Sequence, residues 1–336
     1  MGSNLAKTPL MAIVYASIMH FVLVFMPFEN TYAETMHAFS TPLMGYLCTV
    51  GYGLLISIII AILFASIEQF SILKAIVTTI TLIGLQWIVP ALGQLWYGDP
   101  SGVMSKMDLV WLTLSRIVCT VLLVTLAMLL LNKKSPEEAK PAEKKGKTYK
   151  LGKLSFAIKL LILPLVFCLL FFICWYFLAW RHEAVRLYYG SVAENRGFVD
   201  AFINLLLDDP GVLIYAPLVG LLHSVFLIPL MTRLPEKRIV FIISVALLNI
   251  SPALLLLIPT PLIPDNVRMQ ILIQNVALFV AYGVFSSWLL HLSYKKQDLP
   301  EKNKLENDRS AGVAKGSKGP TPKQQAAALR TTMSGR

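Results

Sequence analysis

Residues 111–124 read WLTLSRIVCTVLLV, and this stretch decides the fold: a single arginine, Arg116, sits inside a run that is otherwise apolar or small. Taken out to 109–131, the run matches the roughly 20 residues a helix needs to cross a hydrocarbon core about 30 Å thick. Seven more such runs lie at 10–28, 43–67, 72–92, 154–178, 212–231, 239–258 and 269–292. None alternates apolar and polar residues as a barrel strand would. A spanning segment must bond its own backbone N–H and C=O groups, and that leaves helices. The expectation is an all-α polytopic transmembrane bundle of about eight spans.

Of the 336 residues, 56% are hydrophobic and 15% charged, against about 25% charged in a soluble domain. The net charge of +11 does not read as a nucleic-acid signal, because of where it lies. With a cytoplasmic N-terminus, Lys7, Lys74, the lysines of 133–153, Arg233 to Arg238 and the tail from Lys295 all fall inside. The outer segments keep Lys106, Arg181, Arg186, Arg196 and Arg268. Cytoplasmic loops are the ones enriched in lysine and arginine, so both termini are expected there. The first run is longer than the about 7–15 apolar residues of a signal peptide and reads as a retained anchor. Ala6 breaks a myristoylation motif after Met1-Gly2. Cys48, Cys119, Cys168 and Cys174 all fall within runs and read as small packing residues.

Residues 1–132 carry four of the runs, 133–153 form a charged cytoplasmic linker, 154–293 carry the other four, and 294–336 form a basic cytoplasmic tail. Linker and tail are too polar to bury a core, and disorder is expected in the tail. In the longest outer segment, Phe198, Val199, Phe202, Ile203 and Leu206 recur at helical spacing, opposite Asp200, Asn204 and Asp208. Pro210 then stops the pattern. An interfacial helix near 198–207 is expected, lying on the outer face with its apolar side down.

Arg116 lies about seven residues, or roughly 10 Å, below the outer end of its run. Its side chain either snorkels to the headgroups, its stem covering apolar surface, or faces the bundle and binds an anion. No aspartate or glutamate lies deep in any run, which argues against a proton-coupled transporter. The counter-ion must then be a lipid, a ligand or an outer acid such as Asp108 or Asp200. Arg181, Arg186 and Arg268 are at the same leaflet, and forked guanidinium donors suit phosphate. Arg116, Arg181, Arg186 and Arg268 are therefore the candidate binding set for an anionic headgroup, against ordinary surface charge. Lys159 reads as a snorkelling anchor.

His20, His223, Cys119 and Cys168 lie near the middle of their runs and are of metal-ligand type. They show no ligand spacing within one helix, so packing and interhelical hydrogen bonds are the preferred reading, and no metal or other cofactor is expected. Glu34-x-x-His37 and His182-Glu183 are two-residue coincidences in polar loops. Without HExxH, GxSxG, Walker or GxGxxG motifs, nothing anchors an enzyme.

The outer turn at 258–268, with prolines at 259, 261 and 264, and the stretch 180–190 together resemble segments of uncharacterised bacterial multi-pass inner-membrane proteins. That resemblance implies a bacterial inner membrane and, since the group has no known activity, nothing further. The functional expectation is binding or transport of an anionic amphiphile or lipid at the outer leaflet, with membrane lipids as partners and no nucleic acid. The rival is a scaffold or assembly factor whose linker and tail dock a cytoplasmic protein partner or anionic lipid. A membrane-embedded enzyme comes third.

Overall fold

A computed structural model of the chain describes residues 2–39, 42–67, 71–131, 150–151, 153–190, 197–231, 238–260, 262–291 and 294–295. The linker at 133–149, Glu68 and the tail from 296 lie outside the described residues. The described chain is mostly helical, and its strands are two pieces of two residues each, Lys150–Leu151 and Tyr294–Lys295.

Long helices occupy the apolar runs. They are α1 (Thr8–Val24), α2 (Pro42–Ser66), α3 (Ser71–Ile83, continued by Gly84–Ile88 and Val89–Tyr97) and α4 (Lys106–Leu131). After the linker come α5 (Lys153–Cys174, continued by Trp175–Trp180), α6 (Val212–Met231), α7 (Arg238–Ile250) and α8 (Asp265–His291). Among the described residues six of these, α2 to α6 and α8, are long and apolar enough to cross a membrane. The other two, α1 and α7, are shorter apolar helices.

The run at 239–258 is helical only to Ile250, and the reason is Pro252. Proline has no N–H and its ring clashes with the carbonyl four residues back, here Leu248. That freed carbonyl accepts the Ser251 hydroxyl at 2.7 Å, and the chain goes on as a 3₁₀ turn, Ala253–Leu257. Pro90 acts similarly in α3. It cannot donate to the Gln86 carbonyl, and the helix widens to a π-turn over Gly84–Ile88, closed by Val89 N–H bonding Gly84 O. Such π-turns re-aim side chains and recur at functional sites.

The most extensive packing is pairwise: α1 on α2, α5 on α6 and α7 on α8. Helix α4 packs on α1 and α3, α3 on α6, α8 on α5, and α7 on α2. One continuous core results, from Met11 and Tyr15 through Ile60, Leu82 and Cys119 to Phe167, Phe241 and Tyr282. Lipid supplies no hydrophobic drive between helices, so small residues at crossings matter. A Cβ at Gly220 would lie 2.5 Å from Phe167 Cβ, where α5 meets α6. At Gly283 it would lie 2.8 Å from the Ala246 Cα, where α7 meets α8.

Helix ends are tied by polar side chains. Lys7 Nζ donates to the Leu130 carbonyl and Lys74 Nζ to Phe64 O at 3.2 Å, each a cation on the unpaired carbonyls of a helix C-terminus. At the start of α4, Ser105 and Asp108 form a capping box: Asp108 Oδ2 accepts the Ser105 N–H at 3.1 Å, and Ser105 Oγ accepts the Asp108 N–H at 3.1 Å. Asp108 Oδ1 accepts the Glu29 N–H at 2.8 Å, which fastens the end of the α1 loop to α4.

Four shorter α-helices are also present among the described residues, the first of them Gly2–Leu5, ahead of α1. Asn30–Phe39 follows α1, and Glu183–Tyr188 and Phe198–Asp208 lie between α5 and α6. On the last of these, Phe198 sits edge-on to Tyr176 at 5.2 Å and Phe202 edge-on to Phe172 at 4.8 Å, which pins it to the end of α5. Its Val199, Ile203 and Leu207 form a second, exposed apolar row.

Candidate functional site around Arg116

Arg116 sits on the α4 face turned toward α1, α2 and α3. Its guanidinium carbon lies 5.2 Å from the centroid of the Trp87 ring, and Trp87 is buried. A guanidinium over an indole face within about 6 Å gains roughly 0.5–2 kcal/mol, most where water is excluded. The π-turn before Pro90 carries Trp87. Thr120, one turn below Arg116, accepts the Trp87 Nε1–H at 2.7 Å and donates its own hydroxyl to Arg116 O at 2.9 Å. The ring position is thereby fixed from the same helix that supplies the cation.

Tyr15 of α1 and Tyr52 of α2, ring centroids 6.1 Å apart, are both buried and both within electrostatic range of Arg116. Gly53 lets them close up, since a Cβ there would lie 2.9 Å from Tyr15 Cδ1. Tyr32, in the helix after α1, is the third tyrosine in range. Burial raises its hydroxyl pKa, Arg116 pulls it back, and Asp108 and Asp99 add to the rise.

Two buried donors here have no hydrogen-bond partner: Arg116 Nε and the Tyr52 hydroxyl. Among the described residues no carboxylate pairs with Arg116. Asp108 is fully buried, and its oxygens are taken by Glu29 and Ser105. Asp200 is exposed on the Phe198–Asp208 helix. The site is thus a guanidinium and a phenol with uncommitted donors between aromatic walls, an arrangement suited to one anionic group.

The other three arginines lie at the α5 end and the start of α8. Arg186 Nη1 donates to the carbonyls of Trp180 at 2.9 Å and Arg181 at 3.0 Å, capping the π-turn that ends α5. Arg268 is buried, pairs with Asp265 at 2.7 Å and donates to Leu256 O at 2.7 Å, so it ties the 3₁₀ turn to α8. Arg181 is exposed. Ala179, Val185 and Val267 pack together beneath these residues. Arg116 belongs to the α1–α4 group instead.

The metal-type residues are spread out. His20 sits beside Tyr46 at 5.4 Å, Cys119 is buried on α4, Cys168 is half-buried on α5, and His223 is buried on α6. Among the described residues no three His, Cys, Asp or Glu side chains converge. Glu34, His182 and Glu183 are exposed, and the His37 side chain lies outside the described residues. Lys159 is half-buried near the start of α5.

Sequence reading missed the tyrosine and tryptophan walls, because they come from three separate helices. One signal was available: Pro90, which marks a register change just after Trp87. The Ser105-x-x-Asp108 capping box was another. No family model matches this chain, and no curated protein or solved structure does either.

Proposed function

We propose that this multi-pass membrane protein binds an anionic amphiphile or lipid from the outer leaflet, its charged group held at Arg116, and that it binds or moves that molecule. The observation that carries the reading is the buried Arg116 Nε over Trp87, without a hydrogen-bond partner and without a paired carboxylate. A snorkelling arginine would lay its stem on lipid and its head among phosphates. This one lies against a buried ring inside the helix group. Arg181, Arg186 and Arg268 remain part of the proposed set as an outer basic rim, with Arg181 the most open to an approaching headgroup.

The proposal places the protein in a bacterial inner membrane, with eight crossings and both termini in the cytoplasm. Helix α1 has 17 residues, about 26 Å at 1.5 Å each, close to the lower limit for a span. Helix α7 and its 3₁₀ extension together reach roughly 30 Å. Lys7 bonding the Leu130 carbonyl sets the start of α1 beside the end of α4, as an even number of crossings between them requires.

Native mass spectrometry of gently solubilised protein tests the binding claim. Anionic lipid should co-purify with the wild type, fall with Arg116→Lys, which keeps the charge but loses the fork, and vanish with Arg116→Leu. Equal occupancy in all three would reduce Arg116 to an anchor.

A further inference from the structure

A second buried polar group lies apart from Arg116, in the α5–α8 half. His223, in the middle of α6, is fully buried. Its Nδ1 is 3.1 Å from Asn249 Oδ1 on α7. The Asn249 amide nitrogen donates to the Val245 carbonyl at 2.9 Å. A carbonyl only accepts, so the amide orientation is set and Oδ1 is the atom facing the ring. His223 Nδ1 must then be the donor, and the neutral ring keeps its lone pair on Nε2. That Nε2 is buried and has no hydrogen-bond partner.

The surroundings narrow what could meet this lone pair. Phe167 stacks on the imidazole at 5.7 Å, Phe279 lies at 4.9 Å, and Tyr282 stands edge-on at 6.2 Å. The nearby hydroxyls are committed: the Tyr282 and Ser224 oxygens lie 2.8 Å apart and each lies 2.9 Å from the Gly220 carbonyl, so one hydroxyl donates to the other and the second donates to Gly220 O. A bridging water needs two or more polar partners; Phe167 and Phe279 offer none, and the Tyr282 hydroxyl is already bonded to Ser224 and Gly220. A metal ion needs further ligands, and among the described residues no such group converges. An anion would be repelled by a lone pair. What fits is a neutral, mostly apolar molecule with one O–H or N–H donor.

We infer that His223 Nε2 is the hydrogen-bond acceptor of a second ligand site, walled by Phe167, Phe279 and Tyr282, which takes the hydroxyl of a neutral lipid alcohol of the prenol or quinol kind. Asn249 is the positioning residue, holding the tautomer that leaves Nε2 free. The site is independent of Arg116, on different helices and of opposite preference in charge. An interhelical His–Asn bond serving only to hold α6 to α7 is the competing account, and it predicts no ligand.

The test uses the full chain in detergent with two photoactivatable probes, a diazirine-bearing hexadecanol and its methyl ether. Ultraviolet labelling is mapped by mass spectrometry to α5, α6 and α8. The alcohol should label around Phe167 and Phe279 about three- to tenfold more than the ether, the worth of one neutral hydrogen bond. His223→Phe keeps a ring and removes the acceptor, and alcohol labelling should drop to the ether level while Arg116-dependent anionic lipid is unchanged. Competition with farnesol and decylubiquinol separates the two sources: whichever suppresses labelling names the class. Equal labelling by alcohol and ether, or alcohol labelling that survives His223→Phe, would overturn the site. So would a wild type that takes neither probe while Asn249→Leu lowers the melting temperature, which would leave His223–Asn249 as a structural bond. Should the Arg116 proposal fail alone, this experiment would still stand.

Discussion

The Trp87 indole donates to Thr120 Oγ1 at 2.7 Å, and Thr120 lies one turn below Arg116 on α4. The ring that faces the guanidinium is thus held by the helix that carries it. Thr120→Val removes the acceptor at nearly constant volume and leaves a buried indole N–H unpaired, at a cost of about 1–3 kcal/mol. The expected outcome is a lower melting temperature in detergent and a shifted tryptophan emission. Unchanged emission and stability would show that the bond does not position the ring.

Trp87→Leu keeps an apolar side chain and removes the ring face. The cation–π interaction, about 0.5–2 kcal/mol, is lost with it. Anionic lipid should be retained two- to thirtyfold less well on titration in native mass spectra, by the usual conversion of about 1.4 kcal/mol per tenfold. Retention equal to wild type would mean that the indole only fills space.

Asp108→Ala breaks both the α4 capping box and the bond to Glu29. Capping losses run about 0.5–2 kcal/mol, and the unpaired Glu29 N–H adds to that. Hydrogen exchange should speed up over 25–33 and in the first turn of α4, while lipid bound at Arg116 stays within twofold. Loss of the lipid at full stability would instead make Asp108 part of the site.

Gly283→Val should be among the most damaging single changes, because its Cβ would start 2.8 Å from the Ala246 Cα. Backbone cannot yield as a side chain can, so α7 and α8 must separate, and overpacking of this sort costs about 1–3 kcal/mol or more. Gly51, whose Cβ would meet nothing within 4 Å, is the control: Gly51→Ala should leave the melting temperature unchanged or slightly raised. Equal behaviour of the two would contradict the α7–α8 packing.

Reporter fusions at Gly146 and Gly316 should both read as cytoplasmic if the chain crosses eight times with its N-terminus inside. A signal from the opposite side at either position would change the crossing count and overturn the proposed outer-leaflet placement of Arg116.

How much was legible beforehand differs by element. Runs such as 43–67 and 212–231 specify helices on their own, because backbone groups in lipid have no partner but their own segment. The break after Ile250 was also available, since Pro252 cannot extend a helix whatever surrounds it; the apolar character of 239–258 concealed it. Arg116 could be singled out as unusual, yet its direction could not be derived. At its depth a flexible stem reaches either headgroups or the bundle.

The choice between those directions came from the tertiary structure. It depends on Trp87 meeting the Arg116 face of α4, where the π-turn before Pro90 sets the indole, and on Tyr15 and Tyr52 of two other helices lying within electrostatic range, with Gly53 admitting the close approach of Tyr15. The same holds for His223, whose tautomer is set by Asn249 on another helix. Hydrogen bonds within a helix are local and follow from the order of residues. Which polar groups are left without a partner depends on what the other helices bring to them, and that only packing decides.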